Sequence, residues 1–332
     1  MCLPVLAIAG VLTACGRSDG ANSITVYNGQ HEETTDALVS GFEKATGINV
    51  EVDNGDEDIL AGQIATDGSH SAADVFFTEN SPALEFLQGK GLLAHVDPST
   101  LANTPSKFNS PVGDWVGVSA RVSVLIYNPS LISRSQLPTH VLELANPKYS
   151  GKLAFAPGET DFQPIVTSVE HAYGKAAALA WLQGIKSNSS SHRYQDNETI
   201  ADEVNRGAAA FGVVNQYYWY RMQAEIGKSN MHSEIAYFAP RDPGYVIDVS
   251  GAAVLASSKH QADAQKFLAF LTSKAGQEII ADSNSFEYPI ASGVTTAQPE
   301  TPFDQLLPYP ITIAELGDGS TAIDLLQQVE LS

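Results

Sequence analysis

Phe211-Gly212-Val213-Val214-Asn215-Gln216-Tyr217-Tyr218-Trp219-Tyr220 is the segment from which the architecture can be read. The apolar run that ends at Val214 has the composition of a buried strand, read here as 209–214. Asn215 and Gln216 then break the run and open a helix. A strand that turns into a helix is the repeating unit of an α/β protein. Tyr217 and Tyr218 fall at that turn. Two adjacent phenols there can pack, or they can offer two hard oxygen donors to one ion. Neighbours on a regular strand point to opposite faces, so shared ligation requires both to lie in the turn or the first helical turn.

The same unit recurs outward from this segment. Strands are expected at 24–27, 48–52, 74–77 and 153–156. Leu38, Phe42 and Ala45 lie at helical spacing before Gly47, a favoured stop, and Pro82 suits the first turn of another helix. Further helices are expected at 176–186, 201–206 and 261–281. Two extended segments, 121–127 and 245–251, can carry the chain from one lobe into a second and back. With 332 residues, 43% of them hydrophobic, the chain can build two domains of ~150 residues each.

Polar residues collect where strands give way to helices. Asn28-Gly29-Gln30-His31-Glu32 follows the first strand, and Thr78-Glu79-Asn80-Ser81-Pro82 follows Val75-Phe76-Phe77. Pro157-Gly158-Glu159-Thr160-Asp161 and Asn215-Gln216-Tyr217-Tyr218 hold the corresponding places later. In open α/β sheets the ligand crevice lies outside the carboxyl ends of the strands, so these turns are expected to face one cleft. Asp56-Glu57-Asp58 is expected to be a solvated acidic face.

The charge balance narrows the partners. Eighteen basic residues against 38 acidic ones give −20, which excludes a nucleic-acid footprint and is compatible with attracting cations. Two phenols, a carboxylate and an imidazole suit a hard, highly charged cation, ferric iron before others. Calcium and magnesium favour carboxylates, carbonyls and water. A free tyrosine holds its proton up to a pKa of ~10, and a trivalent ion can displace it.

Residues 1–14 carry no charge, and the run 3–12 is too short to span a bilayer. Leu12-Thr13-Ala14-Cys15-Gly16 resembles a bacterial lipobox, so a lipoprotein signal peptide at 1–14, lipidation of Cys15 and a tether at 15–22 are expected. No Lys or Arg precedes the run, and an upstream start codon is the expected explanation. With no cysteine after Cys15, thiolate metal sites and disulfides are excluded from the mature chain. No His-Glu-x-x-His helix and no nucleophile elbow point to a metallohydrolase.

At these residues the chain resembles the bacterial periplasmic ferric-ion-binding proteins, the substrate-binding components of iron ABC transporters. The matching blocks begin with Ile24-Thr25-Val26-Tyr27-Asn28-Gly29-Gln30-His31, Leu60-Ala61-Gly62-Gln63-Ile64 and Ala73-Asp74-Val75-Phe76-Phe77-Thr78-Glu79. They continue with Asn215-Gln216-Tyr217-Tyr218-Trp219, Arg241-Asp242-Pro243-Gly244 and Ser250-Gly251-Ala252-Ala253-Val254-Leu255. The resemblance implies an α/β, two-lobed type II periplasmic-binding-protein fold, each lobe a mixed sheet flanked by helices, joined by crossover hinge strands. It places 23–121 with 249–300 in lobe 1, and 122–248 with 301–332 in lobe 2.

Carried over, the family pattern makes His31, Glu79, Tyr217 and Tyr218 the ligands of Fe(3+). It implies an exported monomer on the outer face of the cytoplasmic membrane or in the periplasm, held to the membrane only by its lipid. The partners would be an ABC permease and its ATPase, with no chemical turnover. The alternative is an importer's binding protein for another small solute: a polyamine, a sugar or a phosphonate. Relatives often complete the iron site with a synergistic phosphate or carbonate. The family's small-residue turn there, of the kind Pro-Thr-Ser-Gly-Ala-Phe, is replaced by Pro157-Gly158-Glu159-Thr160-Asp161-Phe162. Asn197 and Asn215 match the anion-contacting asparagines, and Asn80 stands for a Gln. The expectation is that Glu159, Asp161 or bound water replaces the anion; otherwise both carboxylates turn to solvent and phosphate binds.

Overall fold

The structure, a computed structural model, describes residues 23–296 and 301–331. The expected signal peptide at 1–14, the tether at 15–22 and the lipidation site Cys15 lie outside the described residues. Nine strands are present among them: β1 Ser23–Gly29, β2 Asn49–Asn54, β3 Val75–Thr78, β4 Val116–Tyr127, β5 Leu153–Ala154, β6 Phe211–Asn215, β7 Glu234–Ala236, β8 Ile247–Val254 and β9 Tyr288–Pro289. In a first sheet β2, β1 and β3 run parallel, and β8 joins β3 in the opposite sense. In a second, β5 lies parallel to β6, while β6 and β7 pair antiparallel with the end of β4.

β4 belongs to both sheets. Its first half pairs with β8 and β9, and residues Ser123 to Tyr127 pair with β6. Every residue of this twelve-residue strand is buried, which is why its sequence is mostly apolar on both faces, with Ser119, Arg121 and Ser123 the polar exceptions. β4 and β8 are the crossover strands expected at 121–127 and 245–251, and the two-lobed mixed α/β architecture stands as read from the sequence.

Local chemistry explains the main elements. The helix Glu32–Thr46 buries Thr35, Leu38, Val39 and Phe42, and Phe42 meets Phe267 and Phe270 edge-on. It ends at Gly47, in the left-handed region at φ 72°. Ala45, expected on the apolar stripe, is exposed. The helix expected at 261–281 is two helices, Gln261–Leu271 and Lys274–Asp282. Ser273 separates them by accepting a hydrogen bond from the Gly276 N–H, the role of an N-cap. The helix expected at 201–206 begins earlier, at Asn197, where the Asp196 carboxylate caps the Thr199 N–H.

Gly251 on β8 lets the helix Ser81–Gly89 lie directly on the sheet. A Cβ there would come within 2.6 Å of Leu84 Cδ1 and 3.1 Å of the Val116 carbonyl oxygen. Gly251→Val is therefore expected to lower unfolding stability by about 1–3 kcal/mol, measured by chemical denaturation. A change below a few tenths would show that the helix has room to move.

Candidate metal centre

Three strand ends deliver the central side chains. After β1, the Asn28 side chain shapes the turn: its Oδ1 accepts from the Gln30 N–H and the Thr35 hydroxyl, and its Nδ2 donates to the Gln30 carbonyl and to Asn54. His31 follows as the residue that opens the next helix. Glu79 sits between β3 and the helix Ser81–Gly89. After β6, Asn215 opens the helix Gln216–Ile226, and Tyr217 and Tyr218 occupy its first turn. Gln216 pins that turn to the crossover, because its Oε1 accepts from the Val122 N–H and its Nε2 donates to the Phe286 carbonyl.

The phenols and carboxylates converge. Tyr217 Oη donates to Glu79 Oε1 at 2.5 Å and lies 3.2 Å from Asp161 Oδ2; Tyr218 Oη donates to the same Asp161 oxygen at 3.0 Å. The two tyrosine rings lie side by side, with centroids 4.2 Å apart. His31 meets Tyr217 edge-on, and its Nε2 is buried without a hydrogen-bond partner, 3.4 Å from Glu79 Oε1. Asp161 Oδ1 is also buried and unpartnered.

Of the residues expected at the anion pocket, Asp161 reaches the phenols directly. The Asn197 Nδ2 donates to Asp161 Oδ2 at 3.1 Å. Glu159 stands one step back, accepting from the Asn197 N–H at 3.2 Å. Asn215 is buried and lines a small cavity with Phe155, Asp161 and Asn197. Asn80 bridges to this loop, its Nδ2 donating to Thr160 Oγ1 at 3.2 Å. Phe162, held against Phe155 and Trp181, anchors the loop.

So much oxygen in a buried space shifts every proton equilibrium. Burial, then Asp161 and Glu79, push both phenols well above the ordinary tyrosine value. Burial and the Glu79 charge raise Asp161 to about 6, against the opposing pull of Arg121. Burial and then Asp161 raise Glu159 to about 8. Burial also works against ionisation of Glu79, but His31, Arg121 and the Tyr217 hydroxyl outweigh it and hold that carboxyl below its usual value. The protons that now sit on the phenols are thus the ones a cation has to displace.

The sequence reading passed over Arg121. This guanidinium, fully buried on β4, pairs with Glu287, approaches Glu79 at 3.4 Å, donates to Asn80 Oδ1 at 3.3 Å and lies over the Tyr217 ring. Glu287 is held in turn by Ser119 Oγ at 2.5 Å and Gln30 Nε2 at 3.0 Å. His31, Glu79 and Glu287 offer ligand atoms within 4.8 Å of one another, yet Glu287 is committed to Arg121. The signal was a single cation inside an apolar strand.

A second correction concerns Glu57, expected on a solvated face. Asp56 and Asp58 are exposed as expected, Asp56 capping the helix Glu57–Asp67; Glu57 itself is buried behind Glu79. It accepts from the Thr78 hydroxyl and the Asn80 N–H, and burial followed by the Glu79 charge raises it to about 8. On the other side of the turn, Asp248 of β8 accepts from Ser81 Oγ at 2.6 Å.

The model of the bacterial extracellular solute-binding proteins matches residues 70–309. The chain belongs to this family. Among solute-binding proteins, it is 38% identical to the "Fe(3+)-binding periplasmic protein" of Serratia marcescens, over 93% of this chain and 90% of that one. It is 36% identical to the "Major ferric iron-binding protein" of a Neisseria meningitidis serogroup A strain, over 97% and 96%. The crystal structure of iron-bound HitA from Pseudomonas aeruginosa superposes with a TM-score of 0.88 at 39% identity, covering 93% of this chain and 99% of that one. The resemblance to ferric-ion-binding proteins read from the sequence blocks is borne out. Among the described residues of this solute-binding protein, no helix is long and apolar enough to cross a membrane.

Arg121→Met tests the electrostatic frame. Removing the guanidinium leaves Glu287 buried without its counter-charge, so stability is expected to fall by about 3–5 kcal/mol in denaturant titration. A neutral effect would mean that the buried pair contributes nothing net to stability.

Proposed function

We propose that this chain binds ferric iron in the cleft between its lobes and delivers it to an ABC-type permease and its ATPase for import. One observation carries the reading: two phenols and two carboxylates from separate strand ends meet within hydrogen-bond distance in a buried pocket. That is a donor set for a hard trivalent cation, and it offers nothing to a sugar or a polyamine that simpler side chains would not supply. Glu79, Tyr217, Tyr218 and His31 are the ligands in this reading. The protein carries its cargo without chemical turnover.

Asp161 supplies the oxygen that an exogenous anion supplies elsewhere. It already touches both phenols, and its second oxygen is unpartnered. A phosphate in the same place would meet the carboxylates of Asp161, Glu79 and Glu159. Asn197 and Asn80 then orient the Asp161 loop, with Asn215 lining the cavity behind it, and Glu159 lies outside the ligand set. Lobe 1 comprises 23–121 and 249–300, and lobe 2 comprises 122–248 and 301–332. The unit works as an exported monomer in the periplasm or on the outer face of the cytoplasmic membrane, anchored through Cys15.

Ferric citrate added to the purified chain is expected to produce a visible phenolate-to-iron absorption band, and Tyr217→Phe or Tyr218→Phe to bleach or shift it. Because two phenol protons leave on binding, affinity at fixed ferric activity is expected to fall by about 100-fold for each pH unit of acidification, tenfold per proton. A colourless mixture, or a pH-independent affinity, would contradict the assignment.

Phosphate separates the two accounts of the remaining coordination position. Iron affinity of the parent chain is expected to be indifferent to added phosphate, and Asp161→Ala is expected to make it phosphate-dependent. Strong phosphate dependence of the parent would return the site to an exogenous anion.

A further inference from the structure

Glu57 contacts both residues that flank Glu79. Its Oε2 accepts from the Asn80 N–H at 2.8 Å and from the Thr78 hydroxyl, and its Oε1 accepts from Asn80 Nδ2 at 2.9 Å. The approach is possible because residue 29 is glycine: a Cβ there would lie 2.6 Å from Glu57 Cβ. Glu57 also opens the helix Glu57–Asp67, where a carboxylate is favoured by the helix dipole.

The Asn80 amide has one orientation that satisfies its neighbours. Its nitrogen faces two acceptors, Glu57 Oε1 and Thr160 Oγ1, and its oxygen faces a donor, Arg121 Nη1. Thr160 stands on the loop that carries Asp161, beyond β5, whereas Glu57, Asn80 and Glu79 stand at the ends of β2 and β3. The Asn80 side-chain Nδ2 therefore spans the cleft directly beside the four converging oxygens.

We propose that Glu57 is a positioning residue that fixes the Glu79 turn and aims the Asn80 amide across the cleft at Thr160, latching the two walls around the cargo. This rests on the reading that Glu79 is a ferric ligand. Glu57 touches no metal; it acts through Asn80. The two walls are joined by an uncharged hydrogen bond whose direction is set by a buried acid on one side and a buried guanidinium on the other. A glutamine at residue 57 keeps the shape but reverses the pattern at one oxygen. Its amide nitrogen must face either Asn80 Nδ2 or the Asn80 N–H, a donor against a donor in both cases, and rotating the Asn80 amide only moves the conflict to Arg121.

The test is a double-mutant cycle on the full chain, read by transfer of iron to excess citrate and by the visible band. The parent chain is expected to colour with ferric citrate. Glu57→Gln is expected to keep the band, since both phenols remain, and to bind iron about tenfold more weakly, the cost of one buried donor left without an acceptor. Thr160→Ala is expected to weaken binding in the parent and to add nothing in Glu57→Gln. If Glu57→Gln does not fold, Asn80→Ala removes the same link with Glu57 left in place, and Thr160→Ala is expected to be silent there too. Affinity of Glu57→Gln within about twofold of the parent overturns the proposal, as do Thr160→Ala losses of equal size in parent and variant. A parent chain that stays colourless overturns the ferric reading itself, and the latch with it.

Discussion

One buried cation makes this cleft chemically tenable. Glu79, Glu287, Asp161 and two phenols crowd a space that water scarcely reaches, and charges of one sign repel strongly at low dielectric. Arg121 answers them from the middle of a fully buried strand. Its planar fork presents five donors in a fixed geometry to several oxygens, where a lysine would offer three donors on a compact point charge. Together with His31, the guanidinium holds the Glu79 carboxyl below its usual value against burial, and it gives the Asn80 amide its direction.

The tyrosine pair shows how local geometry brings two adjacent phenols to one point. Adjacent residues on a strand diverge, whereas adjacent residues in a first helical turn can both lean toward the preceding strand end. Asn215 and Gln216 end β6 and pin that first turn to the crossover, so the rings lie together and both hydroxyls reach one carboxylate oxygen. The Asp161 loop meets them from β5, a two-residue strand that does little more than set the origin of that loop.

Much of this was legible in the sequence because it rests on local rules. The strand ends, the Gly47 stop, the Pro82 helix start and the crossover segments follow from composition and spacing over a few residues. That the turns carrying Tyr217, Tyr218, His31 and Glu79 meet was legible because polar residues at strand ends share one cleft in this architecture; the family resemblance singled out these four among them. What escaped depends on contacts between distant segments. Glu57 reads as one acid among three, and its burial requires Thr78, Asn80 and the bare backbone of Gly29. The break at Ser273 was hidden because its flanks keep helical periodicity across it. Arg121 stood in plain view, but its partner Glu287 lies 166 residues further on.

Asp248 gives the hinge a second meaning. It faces Arg121 across the paired crossover strands, yet its carboxylate reaches forward to Ser81, the residue that begins the helix just beyond Glu79. The crossover and the turn that carries Glu79 are therefore tied by a direct hydrogen bond. In the proposed reading, the hold on a bound ion then depends on the shape of the crossover as well as on the side chains that meet in the cleft.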